Sequence, residues 1–162
     1  MSAADTDAMW EMVNDPVCQD LTATTAMFSY EQIREWCASR QDQDVRLDLA
    51  IVENATGDVI GEAVLNEYDE FDDAANFRIS LRGPKWFGRG FGTEATRLLV
   101  QHGLNEVGLS QIHLEVLSRN VRAIKAYERV GFRTAGVREE DGEVWISMEV
   151  DSAAGRSSTL DA

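Results

Sequence analysis

Glycines occupy every second position in Gly88-Arg89-Gly90-Phe91-Gly92, and the run leads straight into a helical pattern through Thr93-Glu94-Ala95. No other stretch restricts the fold as much. Glycine lets a backbone enter the left-handed region and approach another molecule where a Cβ would collide, and the first turn of a helix leaves its N–H groups without partners. The helix dipole adds partial positive charge at the same end, so the stretch suits an anion such as a pyrophosphate, held by backbone donors with no need of a metal. Its place in the chain then narrows the fold. A dinucleotide-binding unit puts its glycines early, between a strand and a helix, with an acidic residue about 20 positions on, and a triphosphate-binding loop closes on Lys-Ser or Lys-Thr. Here the glycines follow three strand-like segments, and no such lysine comes after them.

From Val45 the hydrophobic period is two: Leu47, Leu49 and Ile51 alternate with Arg46, Asp48 and Ala50. Asn54 to Asp58 turns the chain, Val59 to Leu65 returns as a hairpin partner, and Asn76 to Arg82 adds a third strand with Phe77, Ile79 and Leu81 on one face. Two helices precede them. Thr6 to Asn14 carries Met9, Trp10 and Val13 on one face and stops at Asp15-Pro16. After a polar, Thr-rich connection, Ser29 and Gln32 have capping-box spacing and open a helix to about Ser39 that buries Ile33 and Trp36.

Beyond the glycines, Thr93 to Val107 reads as a long helix with a wide apolar face over Ala95, Leu98, Leu99, Val100, Leu104 and Val107, stopped by Gly108. A strand from Gln111 to Leu117 and a helix from Val121 to Val130 follow, the helix turning Ala123, Ile124, Tyr127 and Val130 inward and ending on Gly131 and Phe132. Phe132 to Arg138 and Glu143 to Val150 form a closing hairpin around Asp141-Gly142, and the tail from Asp151 has no apolar periodicity and is expected to be disordered. The expected fold class is α/β (α+β): one domain over residues 1–150, with a mixed, mostly antiparallel sheet flanked by helices.

The formal charge of −14 argues against a nucleic-acid surface and suits a cationic substrate. Glu67 to Asp73 holds five carboxylates in seven positions, which reads as a solvated turn or as an acidic lip for ammonium groups. No apolar run approaches the roughly 20 residues of a membrane span. The acidic start from Met1 to Asp7 does not read as a signal peptide, so the cytoplasm is the expected compartment. Cys18 and Cys37 stand apart without a CxxC or Cys/His cluster, as free thiols in a reducing compartment do, and no metal site is expected.

Two motifs carry a family resemblance over residues 6–150. Gly88-Arg89-Gly90-Phe91-Gly92-Thr93-Glu94-Ala95 resembles the pyrophosphate loop of the GNAT acetyltransferases, and Asn120-Val-Arg-Ala-Ile-Lys-Ala-Tyr127-Glu-Arg-Val-Gly131-Phe132 resembles their second motif. The resemblance implies a GNAT fold that binds acetyl-CoA as cosubstrate through Leu81, Arg82, Gly88, Arg89, Gly90, Phe91, Gly92, Thr93 and Asn120. Asn14-Asp15-Pro16-Val17 and Phe28 to Trp36 resemble the branch that includes ribosomal-protein alanine and spermidine acetyltransferases. An amine attacking a thioester must lose a proton and the leaving thiolate must gain one, so a base and an acid should flank one carbonyl. Tyr127 is the expected acid, near the thioester sulfur, and Glu115 the expected base, directly or through water, with His113 on the same strand face to assist or replace it.

The chain departs from the family pattern at Phe87, where relatives often have Gln or Arg, and at Asn76, where some carry an acid. It also begins almost at its first helix, where the family usually opens with a strand; either the native start lies upstream or the exposed sheet edge is protected, for instance by a second subunit in a homodimer. The expected activity is N-acetyl transfer to a primary amine on a protein N-terminus, a polyamine or an amino-sugar antibiotic, by direct transfer in a ternary complex. Alternatives are a non-catalytic acyl-CoA-binding module and a transferase of longer acyl chains.

Overall fold

A computed structural model describes residues 1–153, and the expected disorder of the tail from 154 onward lies outside the described residues. Asp151 itself belongs to the last strand, where its backbone pairs with Gln111. Helix α1 spans Thr6–Asn14, and Asp15-Pro16, which ends it, also starts α2 (Pro16–Thr22) in what the sequence suggested was a polar connection. The physical reason is that a proline bars helix in the residue before it yet is preorganised for a first helical position. Asp15 completes the start by accepting the N–H groups of Val17 and Cys18, each at 2.9 Å. Helix α3 (Tyr30–Ser39) opens on the expected capping box, with Gln32 N–H donating to Ser29 Oγ and Ser29 N–H donating to Gln32 Oε1.

The strands are β1 (Leu47–Val52), β2 (Val59–Asp69), β3 (Ala74–Leu81), β4 (Gln111–Leu117), β5 (Arg133–Glu140) and β6 (Glu143–Asp151), with α4 (Phe91–His102) before β4 and α5 (Val121–Val130) after it. They form a single sheet in the order β1-β2-β3-β4-β6-β5. Only β3 and β4 run parallel, and they pair solely from Ala74 to Asn76 against Gln111 to His113. Beyond those residues the two strands part, so β3 from Phe77 and β4 from Leu114 face a gap in the middle of the sheet.

The register sorts the sheet into two faces. Leu65, Phe77, Ile112, Leu114, Val116, Met148 and Val150 share the apolar one and are buried with Leu99, Val100, Tyr127 and Phe132 from α4, α5 and the turn after α5. The other face carries Asp48, Glu62, Asn66, Arg78, Ser80 and Glu115, and α1 and α3 cover its β2 end through Ala8, Met9, Met12, Ile33 and Cys37. Trp10, expected inward, lies at the surface edge-on to Tyr30, because the inward stripe runs through Met9 and Met12. Leu98 and Val107 of the expected wide apolar face are likewise exposed, and α4 passes into a π turn over Gly103–Val107, which rotates later side chains off the 3.6-residue stripe. In β1 the alternation is offset by an ion pair: Asp48 is buried because Arg46 donates to both of its carboxylate oxygens at 2.7 Å, while Leu49 is exposed on the sheet edge.

Candidate active site

The three alternate glycines form the expected turn into α4. Gly88 and Gly90 have φ of 69° and 88°, in the left-handed region that disfavours any side chain, and a Cβ added to either would meet nothing within 4 Å. The loop is therefore a cradle that a side chain would fill. Gly90 caps α4 without a side-chain acceptor, so the N–H groups of Phe91, Gly92 and Thr93 open the helix as free donors. In front of them lies a cavity of about 200 Å³ lined by Leu81, Gly88, Gly90, Gly92, Thr93 and Asn120, together with Phe87, Arg122 and Arg129. Neither arginine stands out in the sequence, where both look like ordinary exposed charges of an amphipathic helix. The Arg122 guanidinium carbon sits over the Phe87 ring, 3.9 Å from its centroid, so a cation stands beside the position where relatives often carry Gln or Arg.

Three of the expected cofactor residues turn their side chains elsewhere. Arg89 stacks on Trp86 and Phe91 and donates to Glu53 Oε1 at 2.9 Å. Phe91 packs edge-on against Trp86, and Arg82 is paired with Glu11. A side chain flanked by cavity-lining glycines points out of the cradle, which leaves only its backbone to serve a ligand, and Arg82 lies beyond the last residue of β3.

A second cavity, about 650 Å³, lies on the other side of the gap between β3 and β4. Met12, Ile33 and Trp36 from the N-terminal helices and Phe28 from the loop before α3 supply apolar walls, and Glu62, Arg78 and Glu115 line it from the sheet. Trp36 thus joins a cavity wall to the helical packing that its spacing suggested. None of the residues from Glu67 to Asp73 reaches either cavity, so the acidic lip is a feature of the far hairpin end.

Ser80, Asn120, Tyr127 and Cys18 line both cavities and mark their junction. Asn120 caps α5, its Oδ1 accepting the Ala123 N–H at 3.3 Å, which leaves its amide NH₂ for a ligand. Tyr127 is wedged edge-on against Phe77 and Phe132, and burial pushes its phenol well above the ordinary tyrosine value. It therefore stays protonated, as an acid must before it acts. Burial, reinforced by Asp15, raises the Cys18 thiol to about 11, and its Sγ donates to the Leu81 carbonyl at 3.2 Å. Glu115 lies on β4 and lines the larger cavity, where its sequence position put it, but it has a partner the sequence did not suggest. Arg138 donates to both of its oxygens at 2.8 and 2.9 Å, and that pairing lowers its affinity for a proton, a poor state for a base. Arg138 is 23 residues downstream, and only the pairing of β5 with β6 and of β6 with β4 brings it there. Glu62, by contrast, does not stand out in the sequence, because it holds a polar position of an alternating strand and nothing there reveals that α1 and α3 will bury it.

An acetyltransferase (GNAT) domain family matches residues 1–133, most of the chain and both sides of the junction. The chain belongs to the GNAT acetyltransferases. Among the family's curated members, the spermine/spermidine N(1)-acetyltransferase of Bacillus subtilis is 30% identical over 99 residues, which cover 58% of this GNAT chain and 65% of that protein. The chain thus spans just under two thirds of that relative's length. A spermidine N-acetyltransferase from Vibrio cholerae, solved in complex with CoA and spermine, has the same fold at a TM-score of 0.85 and 18% identity, covering 94% of this chain and 93% of that one. An aminoglycoside acetyltransferase in complex with coenzyme A superposes at 0.77 with 20% identity, covering 99% and 96%. The expected mixed sheet flanked by helices is therefore that of the GNAT fold.

Proposed function

We propose that this GNAT protein transfers the acetyl group of acetyl-CoA to a primary amine, with both substrates bound at once. The observation that carries the proposal is the junction: two cavities of opposite character meet at Ser80, Asn120 and Tyr127 through the gap between β3 and β4. The smaller cavity fits a diphosphate, with free N–H groups at the start of α4, a cradle kept clear by Gly88 and Gly90, and the charges of Arg122 and Arg129. Acetyl-CoA bound there supplies the acetyl thioester. Unpaired backbone groups of β3 beyond Asn76 can hold an extended chain entering the gap as an added strand would be held. Asn120 offers its NH₂ at the junction, and Tyr127 holds a proton for the sulfur that leaves. The larger cavity, with carboxylates on its sheet side, receives the amine. The known amine specificities of relatives and neighbours, spermine and spermidine among them, support an amine acceptor in general.

Release of CoA thiol, followed colorimetrically with a panel of amines and peptides, tests the reading. Amine-dependent release is expected, and Tyr127→Phe should lower it by about 10²-fold, the ordinary worth of one general acid. Tight CoA binding without release for any acceptor would overturn transfer in favour of a non-catalytic acyl-CoA-binding module.

A further inference from the structure

The acceptor cavity offers a cation very little. Its walls from α1, α2, α3 and the loop before α3 carry Met12, Val13, Leu21, Phe28, Ile33 and Trp36 together with the neutral polar groups of Gln19, Thr22, Thr24 and Gln32, and among the described residues only Glu62 and Glu115 line it with carboxylates. Both oxygens of Glu115 are taken by Arg138. Glu62 is buried, with its Oε1 in a long contact to Arg78 at 3.4 Å and its Oε2 without any hydrogen-bond partner. A buried carboxylate oxygen left unsatisfied costs about 1–3 kcal/mol or more, so it calls for a partner, and a bound ammonium is one that would complete it. Glu62 stands directly across from Ser80 in the β2–β3 ladder and therefore projects to the same face as that junction residue. The acidic run that begins at Glu67 is five residues further along β2, about 17 Å at strand spacing, too far to share one small ligand.

We propose that Glu62 receives the ammonium group of the acceptor and takes its proton, and that the acceptor carries this one ammonium on an apolar body. The proposal rests on the transferase reading above. A polyamine would bring further ammonium groups into a cavity where apolar walls and the neutral groups of Gln19, Thr22, Thr24 and Gln32 remain but no carboxylate oxygen is left to pair them, and a buried charge without a counter-charge is costly. A monoamine with an aromatic or alkyl body has one charge for Glu62 Oε2 and apolar surface for the rest. In the transfer step Glu62 takes a proton from the ammonium, and the freed nitrogen forms a C–N bond at the acetyl carbon as the C–S bond breaks. The departing sulfur gains the Tyr127 proton, the surplus proton on nitrogen returns to the Tyr127 oxygen, and Glu62 releases its own to solvent.

Burial holds the Glu62 carboxyl above the usual range, which suits a base near neutral pH, while Arg78 from β3 works against that rise. Asp48 from β1 raises it further, and Arg46, just before β1, and Arg40 from the turn after α3 lower it.

The test compares 2-phenylethylamine with spermidine on wild type, Glu62→Gln and Arg78→Gln, measuring thiol release, calorimetric binding of the amine to CoA-saturated protein, and CoA affinity. Wild type should use phenylethylamine with kcat/KM at least tenfold above spermidine. Glu62→Gln should lose about 10²-fold in kcat/KM and the acid limb of its pH profile, with CoA affinity unchanged as the check on folding. Arg78→Gln, which frees Oε1, should bind phenylethylamine more tightly. A preference for spermidine overturns the apolar single-charge acceptor, and a Glu62→Gln protein that keeps both amine affinity and the acid limb overturns the role of Glu62. Absence of thiol release with every amine would instead strike at transferase activity, and loss of phenylethylamine binding in Glu62→Gln would still uphold the ammonium site.

Discussion

Replacing Gly90 by alanine separates what the loop's backbone costs from what its shape does for a ligand. Gly90 has φ of 88°, and a Cβ there would meet nothing within 4 Å, so packing contributes nothing to the change. Only the left-handed backbone is penalised, by about 1–2 kcal/mol. At about 2–4 °C per kcal/mol for a chain of this size, the melting temperature should fall by about 2–8 °C. Gly57, in the turn between β1 and β2, has φ of 78° and equally open surroundings, yet lies outside both cavities. Gly57→Ala should therefore lose the same stability. The two variants should differ in CoA affinity. An added methyl in the cradle displaces a phosphate from at least one free N–H of α4, worth about 1.5–3 kcal/mol for a charged acceptor, or about 10- to 150-fold in Kd. Thermal melts and calorimetric titration with CoA measure both quantities on each variant. Equal affinity loss in the two variants, or wild-type affinity in Gly90→Ala, would refute the assignment of the loop.

Gly61→Ala tests a different constraint: its Cβ would lie 2.3 Å from the Ser80 carbonyl oxygen, so β2 and β3 would have to separate, and chemical denaturation should show a loss of about 3 kcal/mol or more. Glu115→Gln should leave the acid limb of the activity profile in place, since Arg138 already holds that carboxylate ionised. Because the folded-state value of Glu115 is lowered, the stability its ion pair contributes is present above the ordinary carboxylate range and is lost as pH falls through the lowered value, which acid titration of wild type against Glu115→Gln will register as a difference only at higher pH. Arg122→Ala should weaken CoA binding about tenfold, the worth of one charged hydrogen bond, and flatten its dependence on salt.

Periodicity located the elements because each depends on neighbours close in sequence. The bounds of α1, β4 and α5 agree with their apolar patterns, and the Ser29 capping box and the Asp141-Gly142 turn, with φ of 51° and 80°, form as their residue types require. Helix α2 was hidden because Pro16 carries a stop signal and a start signal in one residue, and the π turn after α4 leaves no mark on an apolar stripe. The candidate site was legible in the same proportion. Gly88, Gly90, Asn120 and Tyr127 stand out through local backbone demands and motif spacing, and all four line a cavity.

What the sequence determined by itself is the left-handed glycine turn into α4, since glycines at alternate positions before a helix act within a single turn of chain. Tertiary structure decided the protonation chemistry. Glu115 and Glu62 occupy similar polar positions on alternating strands, yet strand order sets Arg138 against the first, while α1 and α3 close over the second and leave one of its oxygens unpartnered. A carboxylate's affinity for a proton follows from its burial and from the charges around it, and both are supplied by residues far away in the chain.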